Sequence, residues 1–296
     1  MRLTHFSREA SEVPWVGIVR DDGTVVHVAE AGWAAGVDLP AQMRGQLGAY
    51  AWREKLDLIA SYAEDTGDGC YDRDELSAHA PVLHPEKIVC VGLNYQEHIE
   101  EGGRDETPEN PVLFSKFPSC IIGPEDSIEW DPAVAEKVDY EAELAVVIGE
   151  EVSNIDTDDA WDAIAGYTVG NDVSARDIQH GDGQWVRGKS LDTFAPLGPE
   201  LVTADEIPDP QDLEIWTEVD GDRLQDSSTE NLIFGIDHLI SFISQTSTLY
   251  PGDVIFTGTP PGVGVYREPP RLLAEGSEVS VGIESLGVLT NSCEYR

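Results

Sequence analysis

The sequence is short of positive charge. Its 296 residues include 18 Lys and Arg against 57 Asp and Glu, a formal net charge of −39, and only five of the cations are lysine. A surface of this kind repels phosphate groups, so nucleic acid and anionic membranes are poor partners for it. The acids are spread along the whole chain and form no tail. A cytoplasm with molar salt, which screens charges to about 3 Å, would tolerate this composition. We therefore predict a cytoplasmic protein of a halophile.

Clustered cysteines and long apolar runs are also missing. The four cysteines are widely spaced with no C-x-x-C pattern, which argues against a disulfide framework and a zinc knuckle. No apolar run has membrane-spanning length, and the opening MRLTHFSREA contains no hydrophobic signal region. We therefore expect neither a transmembrane helix nor a signal peptide. At 41% hydrophobic, with seven Trp and nine Tyr, the chain can still bury a large core.

The hydrophobic pattern predicts two domains, a small N-terminal α+β domain over 1–80 and a larger strand-rich domain over 81–296. WVGIVRDDGTVVHVAE (15–30) predicts a hairpin about a D-D-G turn, and 38–65 predict one or two helices. NYQEHIEE predicts a short helix with Asn94 as its N-cap, and 229–245 predict an amphipathic helix. Strand runs with few intervening helices favour an α+β protein built on a closed or sandwiched mixed sheet.

The stretch VDYEAELAVVIG (138–149) joins three acids to an apolar run. Alternate side chains of an extended chain share a face, so Asp139, Glu141 and Glu143 are expected to point the same way. Asp172 follows the apolar strand YTV and could add a carboxylate from a neighbouring strand end. Glu141, Glu143 and Asp172 would then form an oxygen-only cage of the kind that Mg²⁺, Mn²⁺ or Ca²⁺ prefers. The alternative is a solvated sheet face, against which the apolar residues that continue this face argue.

Three further places could carry chemistry, each with a plainer alternative. His98 and Glu101 stand three apart on the short helix and could form a general acid–base pair, or merely belong to an exposed helix. Lys189, between Trp185 and the apolar FAPLGP, could hold a carboxylate or an enolate oxygen, or be an ordinary surface lysine. The loop FTGTPPGVG could present Thr259 and backbone N–H groups to an anion, or be a hairpin turn.

Six motifs, taken in order along residues 84–290, closely resemble the fumarylacetoacetate hydrolase superfamily. They are VGLNYQEHIEE, PVLFSKFPSCIIGPEDSI, DYEAELAVVIG, GYTVGNDVSARDIQ, WVRGKSLDTFAPLGP and PGDVIFTGTPPGVG. The resemblance implies a mixed β-sheet roll, a homodimer, and a divalent cation, usually Mg²⁺ or Mn²⁺. It implies these roles: Glu141, Glu143 and Asp172 as metal ligands; His98, Glu101 and Lys189 as catalytic residues, the first two activating water; Arg176, Gln179 and Thr259 as substrate-binding residues.

The resemblance also implies an enzyme that acts on small 2-oxo acids through a metal-stabilised enolate. Attack by water would give C–C bond hydrolysis of acylpyruvate-type substrates. Without it, the same enolate would serve decarboxylation of oxaloacetate-like acids, isomerisation of 2-hydroxyhepta-2,4-diene-1,7-dioate, or loss of water from 2-keto-3-deoxy sugar acids. The presence of both His98 and Glu101 favours hydrolysis or decarboxylation. A non-catalytic 2-oxo acid binding protein is the alternative from another class. We expect the N-terminal region and the loop 100–112, as a lid, to set selectivity.

Overall fold

The structure, a computed structural model, describes residues 1–9, 12–104 and 106–296. The strands of these ranges are β1 (Arg2–Ser7), β2 (Trp15–Val19), β3 (Thr24–His27), β4 (Cys70–Asp72), β5 (Ser77–His79), β6 (Ile88–Gly92), β7 (Val112–Lys116), β8 (Ile121–Ile122), β9 (Ile128–Trp130), β10 (Val138–Asp139), β11 (Ala142–Ile148), β12 (Ile164–Asn171), β13 (Ser174–Ala175), β14 (Ala195–Thr203), β15 (Glu214–Val219), β16 (Asp222–Ser228), β17 (Val254–Phe256), β18 (Glu278–Ile283) and β19 (Gly287–Tyr295). The α-helices are α1 (Val28–Ala35), α2 (Met43–Leu47), α3 (Trp52–Thr66), α4 (Gln96–Glu101), α5 (Thr157–Ala160), α6 (Arg176–Gly181), α7 (Val186–Lys189) and α8 (Ile236–Ser244).

The strands form two large sheets and one small one. A 12-stranded sheet has the order β4-β3-β2-β1-β14-β12-β11-β17-β6-β7, with β5 paired to β1 and β8 to β14. A five-stranded sheet has the order β16-β15-β18-β19-β9, and β10 pairs with β13. Most neighbours are antiparallel, whereas β6 with β17, β8 with β14 and β9 with β19 are parallel. The α+β class with mixed sheets is therefore confirmed.

Strand β11 lies at the centre of the large sheet and is buried along its whole length. Leu144, Val146 and Ile148 face a core shared with the five-stranded sheet and α8. Ala145 and Val147 face a second core, shared with β1, β2, α1 and α3. A strand with a core on each side needs apolar residues at every position, which explains the uninterrupted apolar run.

The local predictions are mostly confirmed. Strands β2 and β3 form the expected hairpin, and α2 and α3 are the helices expected within 38–65. The helix expected over 229–245 is shorter, because Gly235 is extended and the chain becomes α-helical only from Ile236. The N-cap prediction for Asn94 was wrong, since Tyr95 precedes α4 in that position. The Asn94 side chain instead bonds to the backbone of residues 234 and 257, which joins α4 to two distant loops.

Residues near the N-terminus share the large sheet. Arg2 of β1 pairs with Val202 of β14 and Leu3 pairs with Leu201, so β1 to β4 extend the sheet that contains β11. The division into 1–80 and 81–296 stays a prediction. Within the ranges that the structure describes, no helix combines the length and the hydrophobicity that a membrane span requires.

Candidate functional site

Three carboxylates meet where β11 begins and β12 ends. Glu143 pairs in register with Gly170 and Ala142 with Asn171, so residues 141 and 172 leave the sheet side by side. The backbone confirms this, because Asp172 N donates to Glu141 O over 2.9 Å and Glu141 N donates to Asn171 Oδ1 over 3.0 Å. One ligand atom each from Glu141, Glu143 and Asp172 lies within 4.8 Å of the others. All three residues are at least 95% buried.

Asp139 does not join this cluster, although alternation along one strand would have placed it there. The extended segment breaks at residues 140 and 141, between β10 and β11. Asp139 accepts instead from Arg176 Nε over 2.8 Å and from the backbone N–H groups of Gly264 and Val265 over 2.7 and 3.0 Å. It therefore holds Arg176 and the loop that follows β17 in place.

Three buried cations neutralise the carboxylates. Lys189 Nζ bridges Glu141 Oε2 and Asp172 Oδ2, at 2.7 Å from each. Lys116 Nζ lies 2.6 Å from the other oxygen of Asp172, and Arg176 Nη1 lies 2.6 Å from the other oxygen of Glu141. Lys116 is not among the site residues predicted from the sequence. The scarcity of lysine could have indicated it. A lysine at the end of a strand, in a chain with only five lysines and 57 acids, is expected to have a specific carboxylate partner.

The electrostatics of the cluster fit a divalent cation. Burial, and then the charges of Asp172 and Glu141, raise the pKa of Glu143 well above its ordinary value. Burial acts in the same direction on Glu141, but the charges of Lys189 and Arg176 outweigh it and lower the pKa of Glu141. With Asp139, four acids face three cations, and Glu143 is the acid that pairs with none of these three. A buried carboxylate that resists ionisation, in an oxygen-only set, is a suitable ligand for Mg²⁺, Mn²⁺ or Ca²⁺.

The loop after β17 closes over the carboxylates. Gly258 N donates to Glu143 Oε2 over 2.7 Å. Gly258 has φ +106°, and a Cβ there would lie 2.7 Å from the Cβ of Asn94, so only glycine fits this close approach. Gln225 is also absent from the site residues predicted from the sequence. Its Nε2 donates to Thr259 Oγ1 over 2.9 Å, and its Oε1 accepts from Ala142 N over 2.9 Å. It therefore fixes Thr259 against the start of β11.

His98 and Glu101 form the pair that their spacing predicts. His98 Nδ1 lies 2.7 Å from Glu101 Oε1, and because a carboxylate only accepts, Nδ1 carries the proton. Glu101 Oε2 accepts from Gly262 N over 2.8 Å, so the carboxylate is held from both sides. In the neutral form of the imidazole, Nε2 of His98 then has a free lone pair that can act as a base or accept a hydrogen bond from water.

All nine predicted site residues but Glu101 and Asp172 line one cleft, and these two contact lining residues directly. Arg176 Nη1 also donates to Gln179 Oε1 over 3.1 Å, which orients the amide. The cleft measures about 50 Å³. Its buried end is lined by Glu141, Glu143, Arg176 and Lys189, and behind them lie Asp172 and Lys116, which complete the six residues of the buried end. Its exposed end is lined by the half-buried His98 and by the exposed residues Arg104, His180 and Tyr266. The loop 100–112 that contributes Arg104 includes Asp105, which lies outside the described residues.

Comparison with known proteins finds consistent similarity. The family model described as fumarylacetoacetate (FAA) hydrolase C-terminal matches residues 87–294. Oxaloacetate tautomerase fahd2, mitochondrial, of Xenopus laevis is 43% identical over 294 residues, 98% of this chain and 89% of the relative. A fumarylacetoacetate hydrolase structure from psychrophilic Exiguobacterium antarcticum superposes with a TM-score of 0.84 at 33% identity, covering 100% of both chains. Maleylpyruvate hydrolase from Sphingobium sp. SYK-6, solved with manganese(II) and pyruvate, gives 0.78 at 27% identity, covering 100% of this chain and 99% of the other.

Proposed function

The chain belongs to the fumarylacetoacetate hydrolase family, and from that premise we propose a divalent-metal-dependent enzyme that acts on small 2-oxo acids through their enolates. One observation carries the proposal. The buried triad Glu141, Glu143 and Asp172, bridged by Lys189, lies in the same cleft as His98, whose proton position is fixed by Glu101. A cation site, a positive charge and a base in one small cleft are the groups that enolate formation needs.

The reaction that the site supports best is keto–enol conversion of a small dicarboxylic 2-oxo acid such as oxaloacetate. The cleft of about 50 Å³ is far smaller than the roughly 300–1,000 Å³ of sites for drug-sized ligands, which favours a compact substrate. The Xenopus laevis relative bears the name of this activity. The cation, when bound to Glu141, Glu143 and Asp172, would supply Lewis-acid polarisation of the 2-oxo group.

The chain's own residues supply the proton transfer and the charge. His98 Nε2, directly or through one water, takes the proton from C3 of the substrate. The electron pair of the C3–H bond becomes the C2–C3 double bond of the enolate, and the ammonium of Lys189 offsets the charge that develops on the 2-oxo oxygen. Return of the proton to that oxygen gives the enol. Arg176 and Gln179, joined by a hydrogen bond, would orient the substrate carboxylate.

Hydrolysis of acylpyruvate-type substrates is the second candidate, and the His98–Glu101 pair favours it. The same Nε2 that could take a proton from C3 could take one from a water molecule. That water would attack the distal carbonyl, the C–C bond would break, and its electron pair would leave as the enolate of pyruvate.

The first test is hydrogen–deuterium exchange at C3 of oxaloacetate and of 2-oxobutanoate, followed by NMR in molar KCl. We expect exchange above the spontaneous rate with Mg²⁺ or Mn²⁺ and none above it in excess EDTA. Release of pyruvate and CO₂ is measured in parallel, because pyruvate without CO₂ from an acylpyruvate indicates hydrolysis and CO₂ from oxaloacetate indicates decarboxylation. Binding of both acids without exchange or product would contradict the enzyme and favour a binding protein.

We further propose that the protein works at high salt, as a homodimer in the cytoplasm. The net charge of −39 supports the first part, because self-repulsion destabilises a compact state until salt screens it. The melting temperature should rise between 0.1 and 3 M KCl, because the screening length falls from about 10 Å to less than about 3 Å over this interval. A melting temperature that is independent of KCl would contradict salt adaptation. Sedimentation at the same concentrations measures the oligomeric state.

A further inference from the structure

The exposed end of the cleft contains an arginine whose side chain has no partner among the described residues. The chain has 57 acids, and the other arginine side chains each contact a carboxylate or a backbone carbonyl. The Arg104 guanidinium contacts neither within residues 1–9, 12–104 and 106–296. In so acidic a protein, an arginine without a carboxylate partner beside a substrate cleft is available for an anion from solution.

The position of Arg104 is set by its backbone. Its N–H donates to Ile99 O over 3.2 Å, and Gly103 N donates to Glu100 O over 2.9 Å, so the chain turns tightly after α4. Arg104 therefore follows directly from the helix that carries His98, and both residues line the same cleft. The Arg104 side chain is exposed, whereas the cations of the buried end are each committed to two carboxylate oxygens or, for Lys116, to Asp172 and a backbone carbonyl.

His180, at the exposed end, lies within the field of Arg104. Burial first, and then the charges of Arg176, Arg104 and Lys137, lower the pKa of His180. His180 itself lines the cleft. The charge of Arg104 therefore acts on a side chain of the cleft, so the guanidinium lies close enough to influence a group bound there.

We propose that Arg104 binds the second, distal carboxylate of a dicarboxylic 2-oxo acid. The proposal rests on the proposed function, in which the 2-oxo acid end of the substrate lies at the buried end of the cleft. A substrate held there extends towards the exposed end, where the guanidinium can donate two parallel hydrogen bonds to a carboxylate. Arg104 is then the residue that distinguishes dicarboxylic from monocarboxylic substrates.

The test compares oxaloacetate with 2-oxobutanoate, which has a methyl group in place of the distal carboxylate. Binding of each acid to the Mg²⁺-loaded protein is measured by calorimetry, and C3 exchange by NMR, in the wild type and in Arg104→Met. We expect the variant to bind oxaloacetate about 10- to 100-fold more weakly, as for loss of a charge-assisted contact. Its affinity for 2-oxobutanoate should be unchanged, and Arg104→Lys should restore part of the difference.

Arg8→Gln is the matched control, because Arg8 lies on the N-terminal region and pairs with Glu12 at the surface. It should leave both affinities unchanged. Equal weakening of both acids by Arg104→Met, or no weakening of oxaloacetate, would overturn the proposal. Failure of the proposed function looks different, since the wild type would then show no C3 exchange with either acid. The two binding constants would still decide whether Arg104 recognises the distal carboxylate.

Discussion

The two ends of the cleft are built on opposite principles. At the buried end, three acids and three cations occupy positions at least 95% buried, and both oxygens of Glu141 and of Asp172 are engaged by cations. At the exposed end, Tyr266 is 39% exposed, and Arg104 and His180 are exposed. A buried charge is costly unless an opposite charge pairs with it, because it has lost its hydration. An exposed charge at the opening keeps its hydration and needs no partner until a ligand binds. The buried end is therefore suited to chemistry that every substrate shares, and the exposed end to choosing among substrates.

Glu143→Gln should have the largest effect, because it removes the charge of a proposed metal ligand at the buried end. Replacing residues that merely support metal ligands costs about 10- to 100-fold in affinity, so loss of a ligand should weaken Mg²⁺ or Mn²⁺ binding by at least about a hundredfold. Calorimetric titration of the EDTA-stripped protein measures this, and C3 exchange should fall to the spontaneous rate. Unchanged cation affinity would show that the triad is not the metal site.

His98→Ala should impair the reaction and leave cation binding at the buried end unchanged. We expect C3 exchange or hydrolysis to fall by about 10²- to 10⁴-fold, the usual contribution of a general acid–base residue, with cation affinity unchanged. Turnover rates and calorimetric titrations on the same preparation provide both values. If cation binding is lost as well, His98 acts at the buried end and its assignment as the base is wrong.

Lys116→Met should affect the buried end without removing any of the three carboxylates of the triad. Removing one partner of a buried ion pair costs about 3–5 kcal/mol of stability, because Asp172 would lose its 2.6 Å contact with the Lys116 ammonium. Cation affinity should change by no more than about 10- to 100-fold. Urea unfolding and calorimetry measure the two effects. Lys137→Met, at an exposed lysine, is the control, and equal stability of the two variants would contradict the structural role of Lys116.

The difference between the ends also explains what the sequence could reveal. Glu141, Glu143 and Asp172 stand at fixed offsets from apolar strands, and strand register brings them together, so spacing alone indicated a cage. Lys116 and Gln225 reach the site from distant strands, at 56 residues from Asp172 and 34 from Thr259, and no local pattern marks such pairs. Asn94 had the residue type of an N-cap but bonds to loops 140 and 163 residues away. Residue propensities predicted the local helices and strands. The contacts of Lys116, Gln225 and Asn94 depend instead on partners that are far away in the sequence.

The exposed end was the least predictable part for the same reason. Arg104 follows a short helix in a polar loop, where hydrophobic periodicity carries no information about direction or neighbours. That its guanidinium has no carboxylate or carbonyl partner within residues 1–9, 12–104 and 106–296 is a property of the folded protein, which the sequence alone does not show. The composition makes this informative, because an arginine in a chain with 57 Asp and Glu residues usually has a carboxylate within reach.

The smallest effect that we expect is a change in the ionisation of His180. Burial is the main reason that its pKa is low, and the charge of Arg104 contributes after that of Arg176. Replacing Arg104 with Met removes one cation, protonation of the imidazole becomes easier, and the pKa of His180 should rise while staying below its ordinary value. An NMR titration of the imidazole C–H resonances measures this, with Arg8→Gln as the control that should leave His180 unchanged. If the pKa of His180 does not move in Arg104→Met, the charge of Arg104 does not reach into the opening of the cleft, and its role in binding an anion there loses its support.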